Sequence, residues 1–567
     1  MATMKHARLL CILALCACTG SDSTASHTGG TLAISTGGDP DVLIPSLVST
    51  VQAAQITDMI YDRLADIGDS LNIVNDAGFK PHLADRWTWS PDSLSIAFHI
   101  NPRAKWHDGQ RVTSGDVRFT FRSTMDSTLG SPTAALIANI DSVTTPDSAT
   151  ATFWFRRHIP QEFYDATYQM PIIPEHIWKG IAPAAWRASD AAKHPIGSGR
   201  FKFVRWTPRA SVELVADTAN YYGAPKLGRV VWSIAPDFNT ALTRFLTGET
   251  DFFEALRAEN IPEVAKHPEL AIKSFHGLNY QFAQFNLRDP ANHARPHPLF
   301  GDRELRRALT MAVDRTAIVQ SAYDSLAVPS IGPTVRAYPT TDPNLAQIPF
   351  DLPHAKALLD SLGWRDANRD GVRERRGRAL EFSLGVPSTS KVRVRMAVLM
   401  QEQLRQAGVK VNVEQLDFPV LSERERKRTF DAVLNSWSTQ PSPGAVRGSW
   451  GTAGSRASSG NNYGSYESPV FDAYVDSALA SFDPPTRRAY FNKAYDAIIQ
   501  DAPAIWLAES VPNVGYNKRL NLAPFRSDAW WIHIPEWSIP ADKRIPRDNA
   551  PVGSAATTAA PAGQKTP

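Results

Sequence analysis

Asn435-Ser436-Trp437-Ser438-Thr439-Gln440 gathers an indole, three hydroxyls and two amides, and Trp450, Asn461, Asn462 and Tyr463 follow closely. Aromatic faces stack on apolar or sugar-like surfaces, while amides and hydroxyls hydrogen-bond polar groups without adding charge. No acid occurs between Asp431 and Glu467, so this stretch offers no countercharge to a cation. Such a mixture suits reversible binding of a polar solute: a saccharide, a capped or cyclic peptide, or another polar amide.

The chain holds little that could break bonds. Ser198 lies between Gly197 and Gly199, but the GxSxG spacing of a nucleophile elbow is absent, and no ordered His and Asp follow. No HExxH occurs. His176 has no second ligand four residues on, so it is a packing or capping histidine. His293 and His297 have that spacing, but Pro296 and Pro298 argue against the helix that would align them. Asp366-Ala367-Asn368-Arg369-Asp370-Gly371 begins like a calcium loop, yet its twelfth position, where a bidentate acid is required, is Gly377. The expectation is no catalytic residue, no metal and no cofactor. The rival reading, an extracytoplasmic hydrolase of peptide or cell-wall material, lacks its residues.

The elements that would position the binding residues show as periodicity. Leu94, Ile96, Phe98 and Ile100 alternate as a half-buried strand. Asn101-Pro102 and Trp106-His107-Asp108-Gly109 read as turns. Thr113, Ser114 and Asp116 offer N-cap oxygens for a helix through Val117, Phe119 and Phe121. Helical stripes recur at Ile56-Met59-Ile60-Leu64, Leu305-Leu309-Ala312-Val313, Met396-Leu399-Met400-Leu404 and Phe471-Tyr474-Val475-Ala478. Helices alternating with short strands imply α/β lobes.

These pieces stand in an order that resembles the family 5 solute-binding proteins of ABC transporters, the dipeptide- and oligopeptide-binding class. The resemblance rests on Leu83-Ala84-Asp85-Arg86-Trp87, Ser90-Pro91-Asp92, Trp106 to Gly109, Asp116-Val117 and Pro171 to Trp178. It continues through Gly197 to Phe201, with Arg200 where the family has proline, then Tyr280, Phe282 and Phe285 before Asn286, Ala312 to Arg315, Gly363-Trp364, and Ala502 to Ile505. It implies a two-lobed periplasmic-binding-protein-like fold with an extra subdomain in the first lobe. Implied boundaries are lobe I at 31–275 with the subdomain at about 65–193, lobe II at 276–507, and a return segment at 508–545. Chain crossings between the lobes are expected near Phe275 and Leu507.

The resemblance also implies a function: a solute-binding component of an ABC importer, delivering a peptide or other polar solute to a permease and ATPase complex. A sensor or chaperone of the same fold stays open as an alternative. Expected ligand contacts are Trp437, Ser438, Thr439, Gln440, Asn461, Tyr463, Tyr280 and Phe285. In peptide-binding members the position of Gln440 is an aspartate that pairs with the ligand ammonium, so the neutral amide weakens the peptide inference here.

Composition agrees with an exported globular protein. Residues 1–17 read as a signal peptide, basic at Lys5, His6 and Arg8 and apolar from Leu9 to Leu15. Leu15-Cys16-Ala17-Cys18 resembles a lipobox, making Cys18 the expected lipidation site, with 18–30 a flexible tether to the membrane. All three cysteines lie within the first eighteen residues, so no disulfide or thiol chemistry is expected beyond them. Residues 546–567, rich in Ala, Pro and Thr, are an expected disordered tail. A net charge of +3, with Lys and Arg spread along the chain, argues against nucleic acid. A monomer is expected.

Overall fold

The structure, a computed structural model, describes residues 28–323, 326–457 and 460–553. The expected signal peptide, Cys18 and residues 19–27 of the tether lie outside the described residues, as does 554–567.

Two large sheets organise the chain. The first has seven strands in the order Leu270–Ser274, Asn513–Asn517, Phe252–Phe253, Thr31–Thr36, Arg229–Ile234, Ser211–Ala216 and Phe201–Thr207. Its central strand, Thr31–Thr36, is buried at every position and runs parallel to both neighbours, as expected for a strand covered on both faces. The second sheet has six strands: Ala327–Pro329, Ala504–Ser510, Asn279–Phe285, Ala432–Ser438, Glu381–Pro387 and Lys410–Leu416. The chain leaves the first sheet after Ser274, enters the second at Asn279, leaves it after Ser510 and re-enters the first at Asn513. The two connections are therefore short, and they run side by side: Phe275 N–H donates to the Pro512 carbonyl at 3.2 Å.

A four-stranded antiparallel sheet, Ala84–Trp89, Ser95–Ile100, Thr150–Phe155 and Ile140–Thr144, lies within the first-lobe sequence. Its inner face buries Ile96, Phe98 and Phe153. Phe163 packs on it, 4.8 Å from Phe79 and 4.9 Å from Trp87. Helix Ser114–Met125 starts at a capping box in which the Thr113 N–H donates to Asp116 Oδ2 at 2.8 Å. The other Asp116 oxygen accepts the Glu175 N–H at 2.8 Å, so one buried carboxylate orders two helix starts.

The loop at Gly197 to Arg200 shows why its glycines are needed. A Cβ on Gly197 would stand 1.9 Å from the Ile60 carbonyl oxygen, and one on Gly199 would stand 2.4 Å from that of Met59. Any side chain there would push the loop off the end of helix Val51–Ile60. His107 locks the loop to the turn before it, accepting the Gly197 N–H at Nδ1 (3.2 Å) and meeting the Gly199 carbonyl at Nε2 (2.9 Å). That pattern needs a neutral ring, and burial lowers the His107 pKa accordingly. Arg200, in the place of proline, donates to the carbonyls of Gly223 (3.1 Å) and Ala224 (2.9 Å), fixing the loop from outside.

Two terminal expectations are corrected. The tether was expected to run free to Gly30, but the Thr28 hydroxyl donates to Pro225 O at 2.8 Å and the Gly29 N–H to Lys226 O at 3.0 Å. Disorder was expected from 546, yet Pro546–Asn549 forms a 3-10 turn. Asp548 there accepts the Thr31 N–H at 2.7 Å and pairs with Arg519 at 2.7 Å. A single acid in a Pro- and Ala-rich stretch thus pins the chain end to the first strand.

Candidate solute-binding cleft

Strand Asn279–Phe285 has alternating faces. On one face Asn279 and Gln281 stand opposite Ser438 and Ser436 of the neighbouring strand. Their side chains form a polar ladder across three strands. Asn279 Nδ2 donates to Ser438 Oγ at 3.0 Å, the Ser510 hydroxyl donates to Asn279 Oδ1 at 3.2 Å, and Gln281 Nε2 donates to Ser510 Oγ at 3.3 Å. Gln281 also donates to the Tyr323 hydroxyl. Arg393 reaches the same face and donates to Ser436 Oγ at 3.0 Å.

Tyr323 and Ser510 line a cavity of about 360 Å³. Leu256, Arg257 and Glu259 close it from the first-lobe side, Thr389 to Val392 from the second, and Val511 and Pro512 of the connecting segment from behind. The cavity is therefore shared by both lobes and their connection. Its volume lies within the range of small-solute pockets. A second cavity, of about 250 Å³, lies in the first-lobe sequence among Asp58, Asp62, Arg63, Asp66, His82 and Tyr222. There Asp58 pairs with Arg63 at 2.9 Å, Asp66 with Arg526 at 2.7 Å, and Asp62 accepts from the Tyr221 hydroxyl at 2.9 Å.

The expected contact residues divide into three groups. Ser438 belongs to the polar ladder beside the shared cavity. Thr439 and Gln440 sit where the lobes touch. The Tyr338 hydroxyl donates to Gln440 O at 2.6 Å, and Gln169 Nε2 of the first lobe donates to Gln440 Oε1 at 3.2 Å. Nearby, the Ser442 hydroxyl donates to Gln161 Oε1 at 3.1 Å, and His158 stacks on Phe482 at 4.3 Å. Trp437 falls on the opposite face of the sheet from Ser436, half-buried, with its ring 6.1 Å from both Phe282 and Tyr463. Its indole N–H is buried with no partner among the described residues. Tyr463 packs against Leu421, Phe430 and Val433, while Asn461 is exposed and accepts from the Tyr463 hydroxyl at 3.4 Å.

Tyr280 and Phe285 are corrected: both are core side chains. Each is 2% exposed. The Tyr280 hydroxyl accepts from Trp450 Nε1 at 2.9 Å, and burial pushes its phenol pKa up. Phe285 packs on Phe300 at 4.5 Å. Central position in a covered sheet buries both faces of this strand, so its aromatics are packing residues. The polar interruptions Asn279 and Gln281 are the cleft signal in that strand, and composition alone did not single them out. Tyr323, Lys391 and Arg257 come from segments whose sequence carries no comparable mark.

The remaining chemical candidates resolve as structure. Ser198 is fully buried and its hydroxyl has no partner among the described residues. His176 meets Asp108 at 2.7 Å. His297 accepts the N–H groups of Leu299 and Phe300 at Nδ1 and meets Asp431 at 3.1 Å, whereas His293 is on an exposed hairpin. The Asp366 to Gly371 loop closes on itself, with Glu374 accepting the N–H groups of Ala367 and Asn368. Among the described residues no cluster of three or more acidic, His or Cys side chains could hold a metal ion, and no helix is long and apolar enough to cross a membrane.

Comparison with known proteins places this architecture. The profile of the bacterial extracellular solute-binding proteins, family 5 (middle region), matches residues 78–458. The oligopeptide-binding protein AppA of Bacillus subtilis (strain 168) is 27% identical over 545 residues, 91% of this chain and 96% of AppA. Di/tripeptide-binding protein 2 of Pseudomonas aeruginosa (strain UCBPP-PA14) is 25% identical over 468 residues, covering 79% and 84%. Among solved structures, AppA from Bacillus subtilis in complex with a nonapeptide superimposes with a TM-score of 0.72 at 24% identity, over 91% of this chain and 99% of that one. NikA from Brucella suis in complex with Fe(III)-EDTA gives 0.77 at 19% identity, over 90% and 100%. A fold shared over nine-tenths of the chain and a profile spanning the middle of it lead to one assignment. The chain belongs to the bacterial extracellular solute-binding proteins, family 5, and it is a binding protein, not an enzyme.

Proposed function

We propose that this protein captures a polar solute, a peptide in the first instance, between its two lobes and presents it to an ABC permease and ATPase complex. The observation that carries this reading is the shared cavity: its walls come from both lobes and its back from the connecting segments. Only a ligand touching both lobes favours the closed arrangement over the open one, because a ligand shifts an equilibrium solely by its differential affinity. Ser438, Thr439 and Gln440 reach this zone or the seam beside it. Trp437 and Tyr463 lie on the other face of the Ser438 strand, beside the exposed Asn461, and offer a half-buried stacking face and an amide. Two relatives are named for oligopeptide and di/tripeptide binding, which supports peptide as the solute class.

Native mass spectrometry of solute carried through purification, followed by titration of the identified compound against intrinsic tryptophan fluorescence, tests the reading. A retained polar solute that shifts the emission supports it. Solute-free protein whose emission no peptide changes contradicts it. The anchor at Cys18 is part of the same proposal: Cys18→Ala should move the protein from the membrane to the soluble fraction, and unchanged membrane association would refute the acyl tether.

A further inference from the structure

The face that the first lobe turns toward the second carries a buried acid. In helix Glu162–Thr167, Phe163 packs on the first-lobe sheet, against Phe79 and Trp87. At about 100° per residue, Asp165 points the opposite way. It is nevertheless only 3% exposed. Gln161 and Gln169, four residues to either side, share its face, and both reach the second lobe. The Ser442 hydroxyl donates to Gln161 Oε1 at 3.1 Å, and Gln169 Nε2 donates to Gln440 Oε1 at 3.2 Å. Contact with the Gln440 to Ser442 segment is therefore what covers Asp165.

Little replaces the water that this carboxyl group loses. Among the described residues its one donor is Gln161 Nε2, at a long 3.4 Å, and Ser442 holds the other end of that amide. The one charge acting on Asp165 is a like charge, Glu162. Glu162 is tied to His158 at 2.6 Å and to the Ile159 N–H at 3.0 Å, and the His158 ring stacks on Phe482 of the second lobe. Asp141, on the strand behind the helix, is exposed and paired with Arg156. Across the seam, Gln440, Ser442 and Phe482 are neutral, and Arg447 is turned away to Asp476 at 3.2 Å. Burial keeps the two nearby phenols, Tyr164 and Tyr338, protonated. A carboxyl group covered beside a like charge, with no cation, is stable only with a proton on it. Burial first and Glu162 second accordingly hold the Asp165 pKa well above the usual range, against the relief of Gln161.

We propose that Asp165 couples closure of the lobes to uptake of a proton: it is ionised and hydrated when the lobes part, and protonated when Gln440 and Ser442 cover it. The inference rests on the interlobe reading above and adds a control that acts on the seam, independent of the solute's chemistry. In the parted state the carboxyl titrates near the ordinary value of about 4, and in the closed state higher. Closure is therefore strongest below about pH 4 and weakens by up to about tenfold per pH unit as pH rises between the two values. It levels off above the closed-state value. The clamp grips in acidic surroundings and loosens as they become neutral.

Small-angle scattering of the solute-free full chain and of Asp165→Asn, between about pH 8 and about pH 5, tests it. The parent should compact as pH falls, and the variant, neutral throughout, should keep the compact radius at every pH. Asp165→Ser should behave alike, and a cooperative thermal transition shows that either variant is folded. A parent radius independent of pH, or a pH response unchanged in both variants, would overturn the proton link. Titration with tri-alanine at both ends of the range separates this from the interlobe reading. Closure of equal strength at both removes the proton link and leaves that reading intact, whereas no compaction with either the peptide or acid overturns both.

Discussion

Gly277 lies against Pro512 where the two lobe-connecting segments run side by side, and a Cβ on Gly277 would stand 3.0 Å from Pro512 Cγ and 3.2 Å from its Cδ. Both segments must twist together when the lobes move, and a bare backbone on one side lets the proline ring of the other slide past it. Hinge motion in this fold class is absorbed by a few such residues.

Gly277→Val should therefore jam the connection. Forcing a branched side chain into this contact costs about 1–3 kcal/mol. The expected outcome is a smaller ligand-induced change in scattering radius than in the parent, together with a lowered Tm. A variant that closes as fully as the parent would show that the motion is taken up elsewhere.

Arg519 tests how the chain end is held. It donates to Asp251 Oδ1 at 2.6 Å, to Asp548 Oδ2 at 2.7 Å and to the Thr31 carbonyl at 2.9 Å, almost wholly buried. Removing one partner of a buried pair leaves an uncompensated charge and costs about 3–5 kcal/mol. Arg519→Met should lower stability by that order in urea unfolding and expose residues beyond Ile545 to protease. Burial alone would raise the Asp548 carboxyl, but the Arg519 guanidinium and the N–H groups of Ile545 and Thr31 outweigh it and hold the pKa below the usual range. Its stabilising contribution is thus present above the unfolded-state value, near ~4, and is lost as pH falls through the lower folded value. Asp548→Asn should flatten that acid limb; an unchanged limb would exclude this contact as its source.

Glu425 behaves in the opposite sense. Burial pushes its carboxyl up to about 7, against the partial relief of the Asn435 amide, which donates to it at 2.6 Å, and of Arg393. A raised folded pKa means the folded state keeps a proton that the unfolded chain loses. Stability is therefore fully present below the unfolded value and falls as pH rises towards 7, by on the order of 2–3 kcal/mol. Glu425→Gln should gain stability at pH 8 and change little at pH 4. A destabilised variant at pH 8 would show that the ionised form is accommodated.

The middle of the fold was legible because its signals are local. The alternation Ile96-Phe98-Ile100, the turn at Gly109 and the capping oxygens at Thr113 and Asp116 each act within a few residues and appear where their chemistry requires, whereas Leu94, expected in the same strand, stands one residue before it and is exposed. The all-antiparallel pairing of Ser95–Ile100 with Thr150–Phe155 was less legible, since register depends on partners fifty residues away. The site was legible only in part. Trp437 and Ser438 are neighbours in sequence, but a strand sends them to opposite faces, and only Ser438 shares the ladder with Asn279. Tyr280 and Phe285 looked like binding aromatics because aromatic residues serve both cores and pockets, and burial decides between them. Arg257, Tyr323 and Lys391 meet at one cavity although well over a hundred residues separate the first from the last. No local pattern encodes such a meeting.

Small-angle scattering of the protein stripped of solute by partial unfolding and refolding, measured with and without the solute recovered from it, tests the central claim most directly. Closure of two lobes on a shared cavity predicts a smaller radius of gyration and a narrower distance distribution with solute bound, with the solute recovered chemically unchanged. Superimposable profiles at saturating solute, or conversion of that solute by the purified protein, would contradict it.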